Sequence, residues 1–339
     1  MKAWRLHELG LPWDVLALED VDPPAPPPGT VRVRVGATDL NFADILQCQG
    51  TYQERLDPPF TPGMASAGTV VAVGEGTSLE VGQRIVGSCT AGWGGYAAEC
   101  LIRASTAHVL PDGIDERTAA GMHITHGTAW FALHRRGRIA PGETVLVLAA
   151  AGGVGAAAVQ LAKAHGCTVI AAAGGPDKVQ ACRDLGADTA IDYRDVEPVG
   201  PQPHGGDDLY QAVMDATGGR GADVIYDPVG GAYFDIARRL VAFEGRLLVV
   251  GFASGTIPSA PANHALVKNY SIVGVHMGAY RTRMPEVLDE CYDAIWSLHL
   301  DGGIEPLISA TVGLAELPAG LRSLSERSTT GRVLFDPSR

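Results

Sequence analysis

Residues 144–162 read TVLVLAAAGGVGAAAVQLA and determine how the second half of the chain folds. The apolar run Thr144–Leu148 predicts a buried strand, a glycine-containing turn follows it, and Ala156–Ala162 favours a helix. Only a glycine turn lets the backbone approach a pyrophosphate, whose charge then meets the N–H groups at the start of the helix. Ala150 stands where the first glycine is usual, so the match is A-x-G-x-x-G. The pattern predicts a dinucleotide held by Gly152, Gly153, Val154 and Gly155.

Strand-like and helix-like segments alternate beyond this turn, which is the pattern of a parallel α/β sheet. The predicted strands are Thr144–Ala149, Cys167–Ala172, Thr189–Ile191, Asp223–Tyr226, Arg246–Val250 and Ser271–Val275. The predicted helices are Ala156–Ala164, Asp177–Leu185, Asp208–Thr217 and Tyr233–Leu240, followed by one from about Met284 to Leu300. Six strands suffice for a complete doubly wound sheet.

The first 120 residues or so have a different texture, with short strands separated by turn signals. Val31–Val35 alternates valine with arginine, and Thr69–Val73 is followed by Gly74-Glu75-Gly76. Antiparallel β structure is therefore predicted here. A last strand-like run, Arg332–Phe335, lies near the end of the chain.

Composition excludes several classes of protein. The chain has 339 residues, enough for about two domains, and 46% apolar residues, so disorder is excluded as the main state. A net charge of −12 without a basic stripe argues against nucleic acid and anionic membranes as partners. Six cysteines without a C-x-x-C pair, in a chain that opens without a signal-peptide pattern, lead us to expect a cytoplasmic protein.

The strand after the glycine turn indicates which dinucleotide is bound. NAD sites usually place an acidic residue at the end of this strand for the ribose 2′-hydroxyl, but the sequence here continues from Ala172 with Ala173-Gly174-Gly175. Free N–H groups near Gly174, the Lys178 ammonium and the Tyr193 hydroxyl could instead hold a 2′-phosphate. NADPH is therefore the predicted cofactor. The alternative for Lys178 is a solvated helix position.

Motifs along the whole chain resemble the zinc-independent quinone oxidoreductases of the medium-chain dehydrogenase/reductase superfamily. They include Asn41–Leu46, the Ala150–Gly155 turn, Tyr226–Gly231, Val249–Gly255 and Gly331–Leu334. The resemblance implies a GroES-like β domain built from both ends of the chain, with a Rossmann domain inserted and the active site in the cleft between them. The implied divisions are a first catalytic part at 1–122, the NADPH-binding domain at 123–264, and completion of the sheet edge with return to the catalytic domain at 265–339.

The resemblance also implies the site residues. Tyr52 and Asn41 would line the substrate side of the nicotinamide, and Thr128 would stand beside the ring. The cofactor would further contact Gly231, Gly251, Phe252, Ala253, Gly274, Val275 and His276. For Asn41 and Tyr52 the structural alternatives are a helix cap and a rim aromatic.

No metal site can be assembled from the sequence. Zinc-dependent relatives place Cys near Thr38, His near Met64 and Glu near Ala65, and these ligands are missing here. His123 and His126 are spaced i, i+3 and could lie on one helical turn as metal ligands, but no further Cys, His or carboxylate stands at a ligand-like spacing, so a cleft wall or helix surface is the favoured interpretation. Without a Lewis acid, alcohol oxidation loses its usual stabilisation of an alkoxide, whereas hydride delivery to an electron-poor acceptor remains possible.

We therefore expect an NADPH-dependent reductase of quinones or other α,β-unsaturated carbonyl compounds. Asn41 and Tyr52 would stabilise the oxygen on which negative charge develops. Two alternatives stay open: an enoyl-thioester reductase, and an NADPH-binding protein with a structural or regulatory role and little turnover. The resemblance further implies a homodimer paired through the edge strand Ser271–Val275.

Overall fold

The computed structural model describes residues 1–193 and 207–339, for Asp207 and Asp208 the backbone only. The strands are β1 Lys2–Leu6, β2 Leu16–Asp20, β3 Thr30–Asp39, β4 Ala65–Val73, β5 Arg84–Ser88, β6 Glu99–Arg103, β7 His108–Val109, β8 Thr144–Leu148, β9 Thr168–Ala173, β10 Thr189–Asp192, β11 Ala222–Asp227, β12 Val241–Val249, β13 Ser271–Gly274, β14 Ile308–Val312 and β15 Arg332–Phe335. The α-helices are α1 Pro12–Val15, α2 Phe42–Cys48, α3 Glu116–Trp130, α4 Gly153–Ala164, α5 Pro176–Asp184, α6 Asp207–Ala216, α7 Gly231–Leu240, α8 Ala262–Lys268, α9 Tyr280–Arg283, α10 Glu286–Leu300 and α11 Leu317–Ser325.

The chain divides into two compact units. The terminal unit contains Met1–Ile124, Arg281–Tyr292 and Pro306–Arg339, and the central unit contains Thr125–Tyr280 and Asp293–Glu305. The terminal unit is thus built from both ends of the chain. The structure divides the chain after Ile124, whereas the sequence placed its first boundary after residue 122.

The central unit is organised by a six-stranded sheet in the order β10-β9-β8-β11-β12-β13. Every neighbouring pair in it is parallel. The order reverses at β8, so the chain winds outward from the centre in both directions, as in doubly wound dinucleotide-binding sheets. One face of the sheet buries Leu146, Ile170, Ile225 and Leu247 in a single core cluster.

The terminal unit is built on a mostly antiparallel sheet in the order β14-β15-β3-β4-β5-β7, with β6 also paired to β3. The alternation of Val31, Val33 and Val35 buries these side chains in one core cluster, as the sequence pattern predicts. The last strand, β15, pairs antiparallel with the end of β3, Leu334 opposite Asp39 and Phe335 opposite Thr38. The fold class is therefore confirmed: a GroES-like β unit with an inserted Rossmann sheet.

Two differences from the sequence prediction have local causes. β12 begins at Val241, five positions before the predicted Arg246. The strand continues through the turn-like Glu244-Gly245 with a local irregularity, in which Glu244 has a φ of 61°. Helix α3 was not predicted because its residues are buried on nearly every side, which leaves no amphipathic period to detect. In the described part of the chain, no helix is long and apolar enough to cross a membrane.

Candidate functional site

The cofactor residues predicted from the sequence all follow the carboxyl ends of the six parallel strands. Because parallel strands end at one edge of a sheet, this placement gathers them on the same edge of the central unit. Gly152 to Gly155 follow β8, Gly174 and Lys178 follow β9, Tyr193 follows β10, Gly231 follows β11, Gly251 to Ala253 follow β12, and Gly274 to His276 end or follow β13. Ligands of doubly wound sheets bind at this edge, where the strand order reverses.

The turn between β8 and α4 supplies free backbone donors. The first bond of the helix runs from the Ala156 N–H to the Gly152 carbonyl, 2.7 Å. The N–H groups of Gly153, Val154 and Gly155 precede this bond and so have no acceptor within the helix. Gly155 also lets the helix pack closely, since a Cβ there would lie 2.3 Å from the Ala149 carbonyl oxygen. The turn thus fits a pyrophosphate group.

The turn after β9 contains a carboxylate that the sequence did not reveal. Asp192, the last residue of β10, accepts a hydrogen bond from the Gly175 N–H at 2.8 Å. Strand pairing explains this, because Asp192 lies beside Ala173 at the end of β9. The sequence argument looked for an acid only along β9, but the neighbouring strand provides one at the start of α5, close to Lys178 in the chain. The predicted 2′-phosphate site therefore contains a negative group.

Two loops follow β11 and β12. The buried Asp227 side chain accepts hydrogen bonds from the Val229 and Gly230 N–H groups, 2.8 and 2.9 Å, and closes the turn into α7. Burial raises the pKa of this carboxyl, against the effect of those two bonds. The loop after β12 is tied to the same turn, since the Ala253 N–H donates to the Pro228 carbonyl at 3.0 Å.

Thr128 lies on α3 in the central unit. Its hydroxyl donates to the thioether sulfur of Met277 at 3.8 Å, a weak contact. Met277 is buried and comes directly after His276, which is exposed. The strand end before them is fixed by Arg136, whose Nε donates to the Gly274 carbonyl at 3.0 Å.

In the terminal unit, Asn41 is a buried residue at the start of α2. Its backbone N–H donates to Asp44 Oδ2 at 2.9 Å, so it caps the helix. Its side-chain Nδ2 donates to the Asp39 carbonyl at 3.0 Å, and its Oδ1 accepts from Arg332 Nη2 at 2.7 Å. The amide thus has one Nδ2 hydrogen that these contacts leave over.

Asp44 is a buried carboxylate with three donors. Besides Asn41, the Met64 N–H donates to Oδ1 at 3.0 Å and the Tyr96 hydroxyl donates to Oδ2 at 2.7 Å. Burial raises the pKa of Asp44 to about 6, although these three hydrogen bonds act in the opposite direction. The carboxylate thus links the start of α2 to the loop residues Met64, just before β4, and Tyr96, before β6.

Tyr52 is half-buried in the loop after α2. Burial raises the pKa of its phenol, and the nearby Glu54 carboxylate acts in the same direction. At neutral pH the hydroxyl is therefore protonated and able to donate a hydrogen bond.

Comparison with known proteins agrees with this architecture. Residues 27–112 match the family described as alcohol dehydrogenase GroES-like domain, and residues 153–293 match the zinc-binding dehydrogenase family. The chain is 39% identical over 322 residues to quinone oxidoreductase-like protein 2 of Bos taurus, covering 94% of this chain and 88% of the relative. The chain belongs to the zinc-independent quinone oxidoreductase family of the medium-chain dehydrogenase/reductase superfamily.

A solved structure and a second relative extend the comparison. The crystal structure of Escherichia coli quinone oxidoreductase complexed with NADPH has a TM-score of 0.88 and 27% identity, covering 99% of this chain and 100% of that one. The phthioceranic/hydroxyphthioceranic acid synthase of Mycobacterium tuberculosis is 31% identical over 311 residues, which are 91% of this chain but 14% of the synthase. Membership of this family makes the chain an oxidoreductase that uses a nicotinamide cofactor.

The positions of the zinc ligands in metal-dependent relatives are filled differently in this oxidoreductase. The Thr38 hydroxyl donates to the Gly95 carbonyl at 2.9 Å and is hydrogen bonded to Ser66 Oγ at 2.6 Å. Met64 and Ala65 offer a thioether and a methyl group, which are poor zinc ligands. In residues 1–193 and 207–339 no group of three or more histidine, cysteine, aspartate or glutamate side chains could hold a metal ion. The donor set does not fit zinc.

Sequence reasoning missed Asp192, Asp227 and Arg332 in this reductase. Asp227 had a local signal, since Asp-Pro is typical of a turn. Arg332 lies in the Gly331–Leu334 motif, but no local pattern indicates its role, because its partner Asp39 lies 293 positions away in the chain.

Proposed function

We propose that the protein reduces quinones and other α,β-unsaturated carbonyl compounds with NADPH. The observation that supports this most is the turn between β8 and α4, where the first N–H groups of a helix lie free at the reversal point of the sheet. A solved relative with the same fold is complexed with NADPH, which favours the phosphorylated cofactor. When bound, NADPH supplies a hydride.

The role of the terminal unit in this proposal is to stabilise the acceptor oxygen. When a conjugated carbonyl accepts a hydride on carbon, negative charge develops on its oxygen. Tyr52 keeps its proton at neutral pH, and Asn41 has one amide hydrogen left over. Both are neutral donors, which suits an oxygen that becomes more basic as the reaction proceeds. In this scheme Thr128 contributes its hydroxyl on the cofactor side.

The test is oxidation of NADPH followed by its absorbance, with 1,4-benzoquinone and with 2-cyclohexen-1-one. We expect turnover of at least one acceptor, and a loss of kcat of tenfold or more in Asn41→Ala and in Tyr52→Phe, with the affinity for NADPH retained. Binding of NADPH without turnover of any acceptor would instead indicate the structural or regulatory role. Full activity in both variants would reject the assigned donors.

A second candidate function is reduction of enoyl thioesters. It is favoured by the 31% identity to a segment of a mycobacterial acid synthase. Crotonyl-CoA as acceptor in the same assay separates the two: a kcat/KM for the thioester above that for both small acceptors would establish the second candidate, and no thioester turnover would dismiss it.

We also propose that the protein is a homodimer. In the described residues β13 ends the central sheet, so one side of its backbone has no strand partner there. Large apolar side chains near this edge are exposed: Phe243 by 70%, Leu266 by 76%, Val267 by 79% and Ile272 by 37%. Pairing of two copies through β13 would cover them. Light scattering should give twice the chain mass at micromolar concentration, and Ile272→Lys should shift it toward a monomer; a wild-type monomer would reject the dimer.

A further inference from the structure

The buried side of Asn41 contains a charged group that determines which end of its amide is available. Arg332 is 7% exposed, and its Nη2 donates to the Asn41 Oδ1 and to the Leu40 carbonyl, both at 2.7 Å. Its Nε donates to Asp39 Oδ1 at 2.6 Å, and Nη2 also lies against the other oxygen of that carboxylate. One guanidinium therefore binds three consecutive residues at the point where β3 ends.

Strand register explains why the arginine reaches this place. β15 runs antiparallel to the end of β3 with Leu334 opposite Asp39, and continuing that register by two residues brings Arg332 opposite Asn41. The Leu40 N–H donates to the Val333 carbonyl at 3.0 Å, which extends the pairing past the end of the strand. The contact is thus a consequence of sheet topology between the two ends of the chain.

The chemistry of the two groups fixes the orientation of the amide. A guanidinium has only donors, so the oxygen of the Asn41 amide must face it. The opposite end faces the Asp39 carbonyl, which only accepts, so the nitrogen must lie there. An amide flip would place two donors against each other on one side and two acceptors on the other. Asn41 therefore has one N–H hydrogen left for a ligand, while its oxygen faces the Arg332 guanidinium.

We propose that Arg332 is a positioning residue: by holding the Asn41 oxygen it turns the amide so that Nδ2 is the end offered to substrate, which selects acceptor groups such as carbonyl and quinone oxygens. This proposal rests on the function proposed above, because it assigns Arg332 to the donor role of Asn41. It adds a residue outside the group that meets the substrate.

The experiment must separate positioning from stability, since removing Arg332 alone would leave the Asp39 carboxylate buried without its partner. The background variant is Asp39→Asn, which keeps an oxygen for Arg332 Nε but leaves the buried guanidinium without its counter-ion, so urea unfolding of each variant is measured beside its kinetics. The Asp39 carboxylate contacts Arg332 and not the Asn41 side chain. The test variant is Asp39→Asn/Arg332→Met, which removes both charges. The rescue variant is Asp39→Asn/Arg332→Lys, whose ammonium can still donate to the amide oxygen.

We expect Asp39→Asn to keep kcat for 1,4-benzoquinone within about threefold of wild type. The Arg332→Met double variant should lose tenfold or more in kcat, with the dissociation constant for NADPH, measured by fluorescence, within about twofold. The lysine double variant should recover part of the loss. Equal kcat in Asp39→Asn and in the methionine double variant would overturn the proposal, and so would an equal loss in the lysine and methionine variants.

A second readout does not need turnover. The side-chain amide signal of Asn41 in a nitrogen–proton NMR spectrum, assigned by its loss in Asn41→Ser, should exchange slowly with water in wild type and in Asp39→Asn. It should exchange at least tenfold faster in the methionine double variant. Unchanged exchange there would overturn the positioning role. If no acceptor is turned over by wild type, the proposed function fails, and this comparison still decides the role of Arg332.

Discussion

The two units treat their polar groups in opposite ways. In the central unit the turn after β8 leaves the N–H groups of Gly153, Val154 and Gly155 without partners in the helix. In the terminal unit Asp39, Arg332 and Asp44 are buried; Arg332 donates to three residues, Asp39 among them, and Asp44 accepts from three donors. A group that binds a ligand must have an unused hydrogen-bonding position, whereas a group that orients a neighbour must have its own positions filled.

The difference has an energetic side. Unpaired backbone N–H groups at a helix start are solvated until a ligand arrives, so keeping them free costs little. Buried charges cost several kcal/mol each unless their partners are complete. We therefore expect substitutions in the terminal unit to reduce the free energy of unfolding and to disturb the orientation of the Asn41 amide. Substitutions at the rim of the central sheet should alter the affinity for the cofactor. The exception is Gly155, where glycine allows close packing.

That exception gives the largest expected effect. In Gly155→Ala the new methyl group would lie 2.3 Å from the Ala149 carbonyl oxygen and 2.8 Å from the Ala150 Cα, and both are backbone atoms that cannot rotate away. We expect a loss of about 3 kcal/mol in the free energy of unfolding, the upper part of the usual range for overpacking. The affinity for NADPH should also fall tenfold or more, since the helix start must move.

The control is Gly152→Ala in the same turn. Its Cβ would meet the Ala149 oxygen at 3.3 Å and its φ is −81°, which any residue adopts. Urea unfolding should give this variant nearly wild-type stability. Similar stability in both variants would show that close packing at Gly155 is unimportant.

The two units also differ in how much of their structure could be predicted from the sequence. The central sheet and its turn are encoded locally, since a strand, a glycine turn and a helix follow one another within 19 residues, 144–162. The strand order and the shared edge then follow from topology rules. The Asn41 environment depends on Arg332, and no local pattern could show that these two residues face each other across β3 and β15. Asp192 was missed similarly, because it reaches Gly175 from a neighbouring strand.

The next test removes one of the three hydrogen-bond donors to the buried Asp44 carboxylate. Tyr96→Phe deletes the hydroxyl that donates to Asp44 at 2.7 Å, and both groups are buried. A hydrogen bond to a charged group contributes about 1.5–3 kcal/mol, so we expect a loss of about 2 kcal/mol by urea unfolding. Tyr292→Phe is the matched control, because that buried hydroxyl donates at 3.0 Å to the neutral carbonyl of His123. A smaller loss is expected there, and equal losses would contradict the charged character of Asp44.

The terminal unit also contains a buried polar side chain, His123, whose hydrogen-bonding atoms are not paired as those of Arg332 are. His123 stacks on Tyr292 with ring centroids 4.9 Å apart, and in the described part of the chain its two ring nitrogens have no hydrogen-bond partner. Burial lowers the pKa of His123 well below 6.5, and His108 and Arg281 act in the same direction. Asp289 lies 3.7 Å from the Nδ1 atom of His108, the histidine whose ring is 6.3 Å from that of His123.

The lowered pKa of His123 determines how the free energy of unfolding changes with pH. Below pH 6.5 the unfolded chain takes up a proton at His123 before the folded chain does, so stability falls as the pH drops from that value. One such group contributes at most about 1.4 kcal/mol per pH unit. His123→Phe keeps the stacked ring and should flatten the pH dependence of the unfolding free energy between pH 6.5 and 5. An equal slope in wild type and His123→Phe would contradict the prediction.

The smallest expected effects concern the partly exposed charges at the end of β10 and the start of α5. Lys178→Ala should weaken the binding of NADPH about tenfold while the binding of NADH changes little, because only NADPH carries the 2′-phosphate that the ammonium would meet.

Asp192→Asn should change the affinity for NADPH in the opposite direction. Its amide oxygen can still accept from the Gly175 N–H, now at 2.8 Å, but the negative charge that repels the phosphate is gone, so NADPH should bind about threefold more tightly. Both effects should shrink as salt is added, since these charges are partly exposed. Fluorescence titrations with the two cofactors at low and high salt provide the measurement. If Lys178→Ala weakens both cofactors equally, or if Asp192→Asn weakens NADPH, then the 2′-phosphate is bound elsewhere and the carboxylate serves only to hold the turn.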